Sequence, residues 1–224
     1  MIFKAFLPCR SGSQRVKNKN IRKFYNLKFG LIELKLKQLL KIKELNQIIL
    51  STDDKKIINF AISLKSKKII IDLRPKELAL SSTKTDDLID YASNLFNKED
   101  HVLWTHVTSP FFNEKNYSEA IKTYKKNINK FDTLIGANIV QDFIFNRTKP
   151  FNYNSKKTFW PNTQTLKELY KINNTVFITS AKIYIKMKNR IGKKLYFYNT
   201  DKICSIDIDN MDDFYLAEKI ISTK

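Results

Sequence analysis

The 224-residue chain is 42% hydrophobic and contains sixteen phenylalanines, which excludes an intrinsically disordered protein. Its length suits one substantial core, so we interpret residues 1–224 as a single domain. No apolar run reaches the ~18 residues of a membrane-spanning helix, and the opening run Ile2–Leu7 is too short for a secretory signal. Two cysteines, Cys9 and Cys204, are too few for a disulfide framework or a zinc site. We therefore expect a cytoplasmic protein.

The net charge of +19 would suit a nucleic-acid or anionic-membrane partner. The lysines, however, are spread along the whole chain beside many Ile and Asn residues, a mixture that an A+T-rich genome produces. The sequence contains no arginine-rich tract and no RNP-like or helix-turn-helix pattern. Compositional drift is therefore favoured over nucleic-acid binding, and we expect neither a nucleic-acid nor a membrane partner.

Strands and helices alternate along the first 137 residues of the predicted structure. The predicted strands are Ile2–Leu7, Gln47–Leu50, Lys68–Asp72, His101–Val107 and Thr133–Ala137. The predicted helices are Leu31–Lys43, a helix capped by Asp53 or Asp54 with the core face Ile57, Ile58, Ala61, Ile62 and Leu64, then Thr83–Asn97, and a helix capped by Asn113. This alternation predicts parallel βαβ units and an α/β fold with an open, doubly wound sheet.

A basic loop follows the first strand. Gly12 and the small hydroxyl residues Ser11 and Ser13 let a backbone approach an anion, and nearby cations would neutralise it. These cations are Arg10, Arg15, Lys17, Lys19 and Arg22. The loop therefore indicates a polyphosphate site, although it matches neither the P-loop nor the GxGxxG pattern, and a plain basic surface loop is the alternative.

Polar residues also follow the other predicted strands. Asp53 follows the second strand, Arg74 the third, and Thr108 and Ser109 the fourth. Ligands of doubly wound sheets bind beyond the carboxyl ends of the strands, so these residues and the basic loop are expected to meet there. The coincidence favours a nucleotide site over a plain surface loop.

The regular pattern stops after Ile139. Residues 138–172 contain two prolines and many aromatic residues, and are too apolar for a free linker. The aromatics are Phe143, Phe145, Phe151, Tyr153, Phe159 and Trp160. We interpret the segment as an arm that packs on another subunit, with a flap over the sheet as the alternative. A strand at Thr175–Ile178, a short helix capped by Ser180 and a strand at Leu195–Asn199 follow.

Two carboxylates stand close together near the end of the chain. We predict a strand over Ser205–Asp209, which places Asp207 and Asp209 on one face about 6.6 Å apart. Such a pair can bind Mg²⁺, with water and phosphate oxygens as the other ligands. The alternative is that Asp209 only caps the last helix, a role that Asn210 can fill alone.

Five segments form an ordered set: LPCRSGSQRVKNKN at 7–20, STDD at 51–54, LRPKELA at 73–79, HVTSP at 106–110 and SIDIDNMDDFYLAE at 205–218. Together they resemble the acylneuraminate cytidylyltransferases, the CMP-sialic acid synthetases. The resemblance covers nearly the whole chain and implies a Rossmann-like α/β nucleotidyltransferase that acts as a homodimer. It also implies that 138–172 is a dimerisation arm that reaches the neighbouring active site.

The resemblance further implies a role for each matching residue. Arg10 and Lys19 would hold the triphosphate of CTP, and Asp207 and Asp209 would bind Mg²⁺ or Mn²⁺. The remaining nucleotide contacts would come from Ser13, Asn20, Arg74, Thr85 and Ser109, with Arg74 and Thr85 reading the cytosine and its ribose. The implied reaction is attack by the anomeric hydroxyl of an acidic nine-carbon 2-keto sugar on the α-phosphorus of CTP, with pyrophosphate leaving. Arg10, Lys19 and Asp209 would be catalytic, and the base would be Asp209 or a hydroxide on the metal.

Several residues depart from the family pattern. His106 replaces the usual Gln and is a candidate base or sugar contact, and Phe112 replaces an expected Arg. Asn173-Asn174 replaces an Asn-Gly turn, which Asn can also form. Gln164 lies in a segment similar to the subgroup that handles legionaminic or pseudaminic acid, and is a second candidate sugar contact.

Three alternatives stay open. A cytidylyltransferase for the eight-carbon sugar acid Kdo would use a similar basic loop. A non-catalytic nucleotide- or RNA-binding protein would use the net charge and the aromatics, with no need for Asp207 or Asp209. A family member that binds CTP without turnover is the third alternative, since His106 and Phe112 depart from the pattern.

Overall fold

The computed structural model describes residues 1–223; Lys224, the last residue of the predicted domain, lies outside them. In this range the strands are β1 (Ile2–Pro8), β2 (Leu45–Thr52), β3 (Ile69–Leu73), β4 (Asp100–Trp104), β5 (Thr133–Val140), β6 (Leu169–Ser180) and β7 (Leu195–Asn199). They form one sheet in the order β3-β2-β1-β4-β6-β5-β7. β6 runs antiparallel to β4 and β5, and the other pairs are parallel. The predicted doubly wound, mostly parallel α/β fold is confirmed.

Helices cover both faces of this sheet. They are α1 (Gly30–Leu40), α2 (Lys55–Ser63), α3 (Thr85–Ser93), α4 (Glu114–Asn127), α5 (Ala181–Met187) and α6 (Met211–Ser222). Side chains alternate along β1, so Phe3, Ala5 and Leu7 pack with α1, α2, α4 and α6, while Phe6 packs with α3 and α5. None of the helices in residues 1–223 is long and apolar enough to cross a membrane.

Side-chain caps explain where three helices begin. Asn113 and Asn210 form capping boxes at α4 and α6, as their predicted capping roles require, and Asp54 rather than Asp53 caps α2. The predicted core face of α2 was partly wrong. Phe60 is buried, whereas Ile62 is 60% exposed, because the buried stripe of this helix runs through Ile57, Phe60 and Ala61.

The predicted arm lies between β5 and β6. Its first and last residues belong to those strands, and residues 141–168 form an irregular connection with one 3₁₀ turn, Thr163–Thr165. Buried Asn152 ties the connection together by donating hydrogen bonds to the carbonyls of Asp142 and Lys167. Four large aromatics of the connection are 47–66% exposed: Phe145, Phe151, Phe159 and Trp160. Packing of this surface on a second subunit stays a prediction.

Candidate active site

The basic loop turns over the carboxyl end of β1 and encloses a cavity of about 220 Å³. We call it the loop cavity. Its lining combines the loop with the residues after β4, namely Pro8, Cys9, Arg10, Ser13, Gln14, Arg15, Val16, Lys19, Asn20, His106, Val107 and Thr108. Five predicted site residues therefore meet at one place, which is the switch point of the sheet, where ligands of such folds bind.

The loop is held by a carboxylate that follows β2. The backbone N–H and the hydroxyl of Ser11 both donate to Asp53, at 2.7 and 2.5 Å. Burial would raise the pKa of Asp53, but the hydrogen bonds from Ser11 and the charge of Arg74 hold it below its ordinary value. Asn20 fastens the other end of the loop through a 2.9 Å hydrogen bond to the carbonyl of Arg10. Asp53 is thus a loop anchor, a role that the sequence analysis missed.

Lys19 connects the loop cavity to the carboxylates near the chain end. Its Nζ donates to the carbonyl of Ile208 at 2.7 Å and lies 4.0 Å from Oδ1 of Asp209. Burial lowers the pKa of Lys19, while Asp209 and Asp207 act in the opposite direction. Arg15 donates to the same Asp209 oxygen at 2.9 Å. Two cations of the loop therefore converge on one carboxylate.

The predicted strand over Ser205–Asp209 was wrong. Within residues 1–223 the segment is irregular, and apart from the local turn one backbone hydrogen bond, from the N–H of Ile208 to the carbonyl of Thr108, ties it to the rest of the chain. A turn at 202–205 includes the first residue of the predicted strand and the cap of α6 follows the last one, which leaves too few residues for a paired strand. Asp207 and Asp209 nevertheless line one cavity of about 520 Å³, which also includes Arg15.

The two carboxylates fit a divalent cation. Asp207 accepts a 2.7 Å hydrogen bond from Asn174 on Oδ2, while its Oδ1 is buried without a partner in residues 1–223. A buried carboxylate oxygen without a donor is costly, and a bound cation would satisfy it. No cluster of three or more potential His, Cys, Asp or Glu ligands occurs in the described residues. Water and phosphate oxygens would therefore complete the coordination, as is usual for Mg²⁺.

A bulge in β6 positions Asn174. Ile135 of β5 pairs with Phe177 and Ala137 pairs with Ile172, so residues 173–176 lie opposite Gly136 alone. A side chain at Gly136 would collide with Thr175 and Asn173, which makes glycine necessary there. The turn expected at Asn173-Asn174 was thus wrong, because both residues lie within β6. The bulge places the side-chain amide of Asn174 where it donates a hydrogen bond to Asp207.

His106 lines the loop cavity as a neutral hydrogen-bond donor. The indole N–H of Trp104 donates to Nε2 of His106 at 3.0 Å, which leaves the ring proton on Nδ1. Burial, together with the charges of Arg190, Lys35, Lys19 and Arg74, lowers the pKa of His106 to about 3. This geometry argues against the suggested role as a base and fits a contact with a substrate oxygen, and both roles stay predictions.

Beneath the cavity lies a buried lysine that the sequence analysis missed. Lys35 of α1 donates to the carbonyls of Ser109 and Phe112 at 2.8 and 3.1 Å, and to the hydroxyl of Tyr117 at 2.8 Å. Burial lowers the pKa of Lys35 to about 7. Lys35 thereby fixes the backbone of the segment that carries His106. Ser109 is fully buried in this arrangement and does not line the cavity.

Besides Ser109 and the carboxylate pair, three predicted site residues do not line the loop cavity. Arg74 is buried and donates from Nε and Nη2 to the side chain and carbonyl of Ser51. Thr85 is exposed at the start of α3, and Gln164 is exposed in the 3₁₀ turn of the arm. Their predicted contacts with nucleotide or sugar stay predictions.

A family model described as cytidylyltransferase matches residues 5–220. The chain belongs to the cytidylyltransferase family. The match covers almost all of the chain and confirms the family to which the five segments pointed. This is a family of nucleotidyltransferase enzymes.

Two curated relatives show how far the similarity extends. The N-acylneuraminate cytidylyltransferase of Escherichia coli O18:K1:H7 is 26% identical over 229 residues, which cover 98% of this chain and 52% of that protein. A pseudaminic acid cytidylyltransferase of Campylobacter jejuni is 25% identical over 222 residues, which cover 95% of this chain and 93% of that protein. The chain thus spans about half the length of the first relative and most of the second.

Solved structures support the fold. A 4-diphosphocytidyl-2C-methyl-D-erythritol synthase from Anaerococcus prevotii superimposes with a TM-score of 0.71 at 17% identity, covering 99% of this chain and 96% of that one. A CMP:2-keto-3-deoxy-manno-octonic acid synthetase complexed with CTP gives a TM-score of 0.67 at 9% identity, covering 100% and 99%. At these identities the similarity shows a shared fold and no more.

Proposed function

We propose that this cytidylyltransferase couples CTP to a nonulosonic acid, an acidic nine-carbon 2-keto sugar, and releases pyrophosphate. The observation that carries the proposal is the convergence of the basic loop and a carboxylate pair. Arg10 and Lys19 line the loop cavity, and Lys19 contacts the segment that presents Asp207 and Asp209. Cations beside paired carboxylates suit a triphosphate and its metal ion.

The residues of the loop would bind and neutralise the triphosphate. Arg10 and Lys19 would contact phosphate oxygens, which disperses charge as the bond from the α-phosphorus to pyrophosphate breaks. The anomeric oxygen of the sugar forms the new bond to the α-phosphorus from the opposite side. Asp209, whose side chain is 49% exposed, would accept the proton of that hydroxyl.

We propose Mg²⁺, or Mn²⁺, as the cofactor held by Asp207 and Asp209. When bound, the ion would neutralise negative charge on the phosphate oxygens. Asn174 would hold Asp207 so that its buried Oδ1 stays directed at the ion. Arg15 and Lys19 would meanwhile orient Asp209.

The acceptor sugar is the finer part of the proposal. The two relatives are named for N-acylneuraminate and pseudaminic acid, both nonulosonic acids. The Nδ1–H of His106 would donate to an oxygen of the sugar from the wall of the loop cavity. Gln164 is exposed on the arm, and in a homodimer whose arm reaches the neighbouring site it would contact the sugar there.

A substrate panel tests the proposal. CTP, ATP, GTP and UTP would each be combined with Mg²⁺ and with N-acetylneuraminic, legionaminic, pseudaminic or Kdo acid, and pyrophosphate release would be measured. We expect release with CTP and one nonulosonic acid, and loss of release in Asp209→Asn. Turnover with Kdo alone would replace the proposed sugar. RNA binding without any turnover would replace the enzyme with a binding protein.

A further inference from the structure

Neighbouring pairs of residues in one loop segment line two different cavities. Lys19 and Asn20 face the loop cavity, whereas the residues on either side of them line a second cavity of about 570 Å³. We call this second space the rear cavity. It is lined by Lys17, Asn18, Ile21, Arg22, Lys28, Phe29, Lys56, Asn59, Phe60 and Ser63. Lys17 and Arg22 were predicted to neutralise the anion in the loop cavity, but they line the rear cavity, and none of its residues has a role in the proposed reaction.

The floor of the rear cavity is apolar. The rings of Phe29 and Phe60 stack with centroids 4.5 Å apart and an interplanar angle of 26°. Phe60 is buried, and Phe29 and Ile21 are partly buried against the same core. A hydrated phosphate alone would leave this surface uncovered, whereas a ligand with a ring would gain free energy by covering it.

The rim of the rear cavity is strongly basic. Four cationic residues belong to its lining, namely Lys17, Arg22, Lys28 and Lys56, and no carboxylate does. None of the four forms an ion pair with a carboxylate anywhere in residues 1–223. Like charges gathered around one concave opening create a positive potential that attracts anions.

We propose that the rear cavity binds a small organic phosphate that carries an aromatic or apolar ring. The phosphate would meet the cations of the rim, and the ring would pack on Phe29 and Phe60. The volume of the cavity lies within the range of about 300–1,000 Å³ that is usual for small-molecule sites. The inference stands apart from the proposed function, because it requires neither CTP nor the carboxylate pair.

Calorimetry with phenyl phosphate as the probe tests the inference, with inorganic phosphate and phenol as comparisons at physiological salt. We expect phenyl phosphate to bind at least about tenfold more tightly than inorganic phosphate, because only the aryl ester covers the floor. Asn59→Trp would fill the cavity from the exposed side of α2 while keeping every cation. This variant should lose binding of phenyl phosphate.

Charge variants distinguish binding at the rear cavity from attraction by the net positive charge of the whole protein. Lys28→Ala/Lys56→Ala should weaken phenyl phosphate binding about tenfold, since two phosphate contacts are lost. The matched control Lys122→Ala/Lys130→Ala removes the same charge from α4 and the residues after it, and should leave binding unchanged. An equal loss in both double variants would overturn the site, because net charge alone would then explain the binding. Thermal unfolding would verify that each variant is folded.

A further variant separates the rear cavity from the loop cavity. Lys19→Ala should not change phenyl phosphate binding, because Lys19 lines only the loop cavity of the two. Loss of binding in Lys19→Ala together with retention in Asn59→Trp would overturn the inference. CTP binding, measured on wild type and Asn59→Trp, reports on the proposed function separately. If CTP does not bind but phenyl phosphate does, the proposed function fails and the rear-cavity site is retained. If CTP binds but phenyl phosphate does not, the rear-cavity site fails and the proposed function is retained.

Discussion

Trp104 and His106 are joined by a 3.0 Å hydrogen bond from the indole N–H to Nε2 of the imidazole. This bond occupies the lone pair that a general base would need, and the low pKa of about 3 keeps the ring neutral at physiological pH. His106 can therefore act in the loop cavity only as a donor from Nδ1.

His106→Gln should retain most of the activity, because the Gln amide can both accept from Trp104 and donate to a substrate oxygen. His106→Ala should lower kcat/KM for the sugar about tenfold, through loss of one hydrogen bond. The pH profiles of wild type and His106→Gln should coincide between pH 5 and 8. An ionisation near pH 6.5 that disappears in His106→Gln would show that the histidine titrates after all.

Asp53 and its neighbour Asp54 offer a matched pair of substitutions. Asp53→Ala should weaken CTP binding about tenfold, because Ser11 loses both of its hydrogen bonds to Asp53 and the loop loosens. Asp54→Ala should lower the free energy of unfolding by about 1 kcal/mol through loss of the α2 cap, without changing CTP affinity. Equal effects of the two substitutions on CTP affinity would contradict the anchoring role of Asp53.

Asn174 should control the affinity for the metal ion. Asn174→Ala removes the donor that orients Asp207, so activity should require a Mg²⁺ concentration about tenfold higher than in wild type. The Mg²⁺ dependence of turnover at saturating CTP measures this directly. An unchanged dependence would mean that Asp207 is not a metal ligand.

Lys35 should make stability depend on pH. Because the pKa of Lys35 is about 7 in the folded protein and near 10.5 when unfolded, the unfolded chain holds more protons between these values. The free energy of unfolding should therefore gain up to about 1.4 kcal/mol per pH unit from this group as pH rises through that window. Lys35→Met should remove this contribution. Denaturant unfolding from pH 7 to 10 measures the free energy of unfolding of both proteins. An identical pH dependence in the two would refute the low pKa of Lys35.

Much of the fold was predictable because apolar runs and caps are local signals. The strand at Leu195–Asn199 and the caps Asn113 and Asn210 follow from neighbouring residues alone. The bulge opposite Gly136 was not predictable, because it depends on pairing between distant strands. Lys35 has the spacing of an ordinary helix residue, and only the packed structure reveals its burial.

The sequence predicted several residues of the candidate site, but the structure brings some of them together in a different way. Asp207 and Asp209 do share a cavity, but an irregular segment between a turn and a helix cap presents them rather than a strand. Arg10 and Lys19 meet as expected because Asp53 and Asn20 fasten the loop. Thr85 and Gln164 were assigned by resemblance, and no local signal places them at the cavity.

The most direct test is calorimetry of CTP binding at physiological salt, with and without Mg²⁺, on wild type and Asp209→Asn. Asp212→Asn is the matched control, since Asp212 is exposed in the first turn of α6. We predict selective binding of CTP over ATP, GTP and UTP, with a Mg²⁺ dependence that is weakened in Asp209→Asn and retained in Asp212→Asn. Equal affinity for all four nucleotides, abolished by salt and indifferent to both substitutions, would contradict the proposed cytidylyltransferase site.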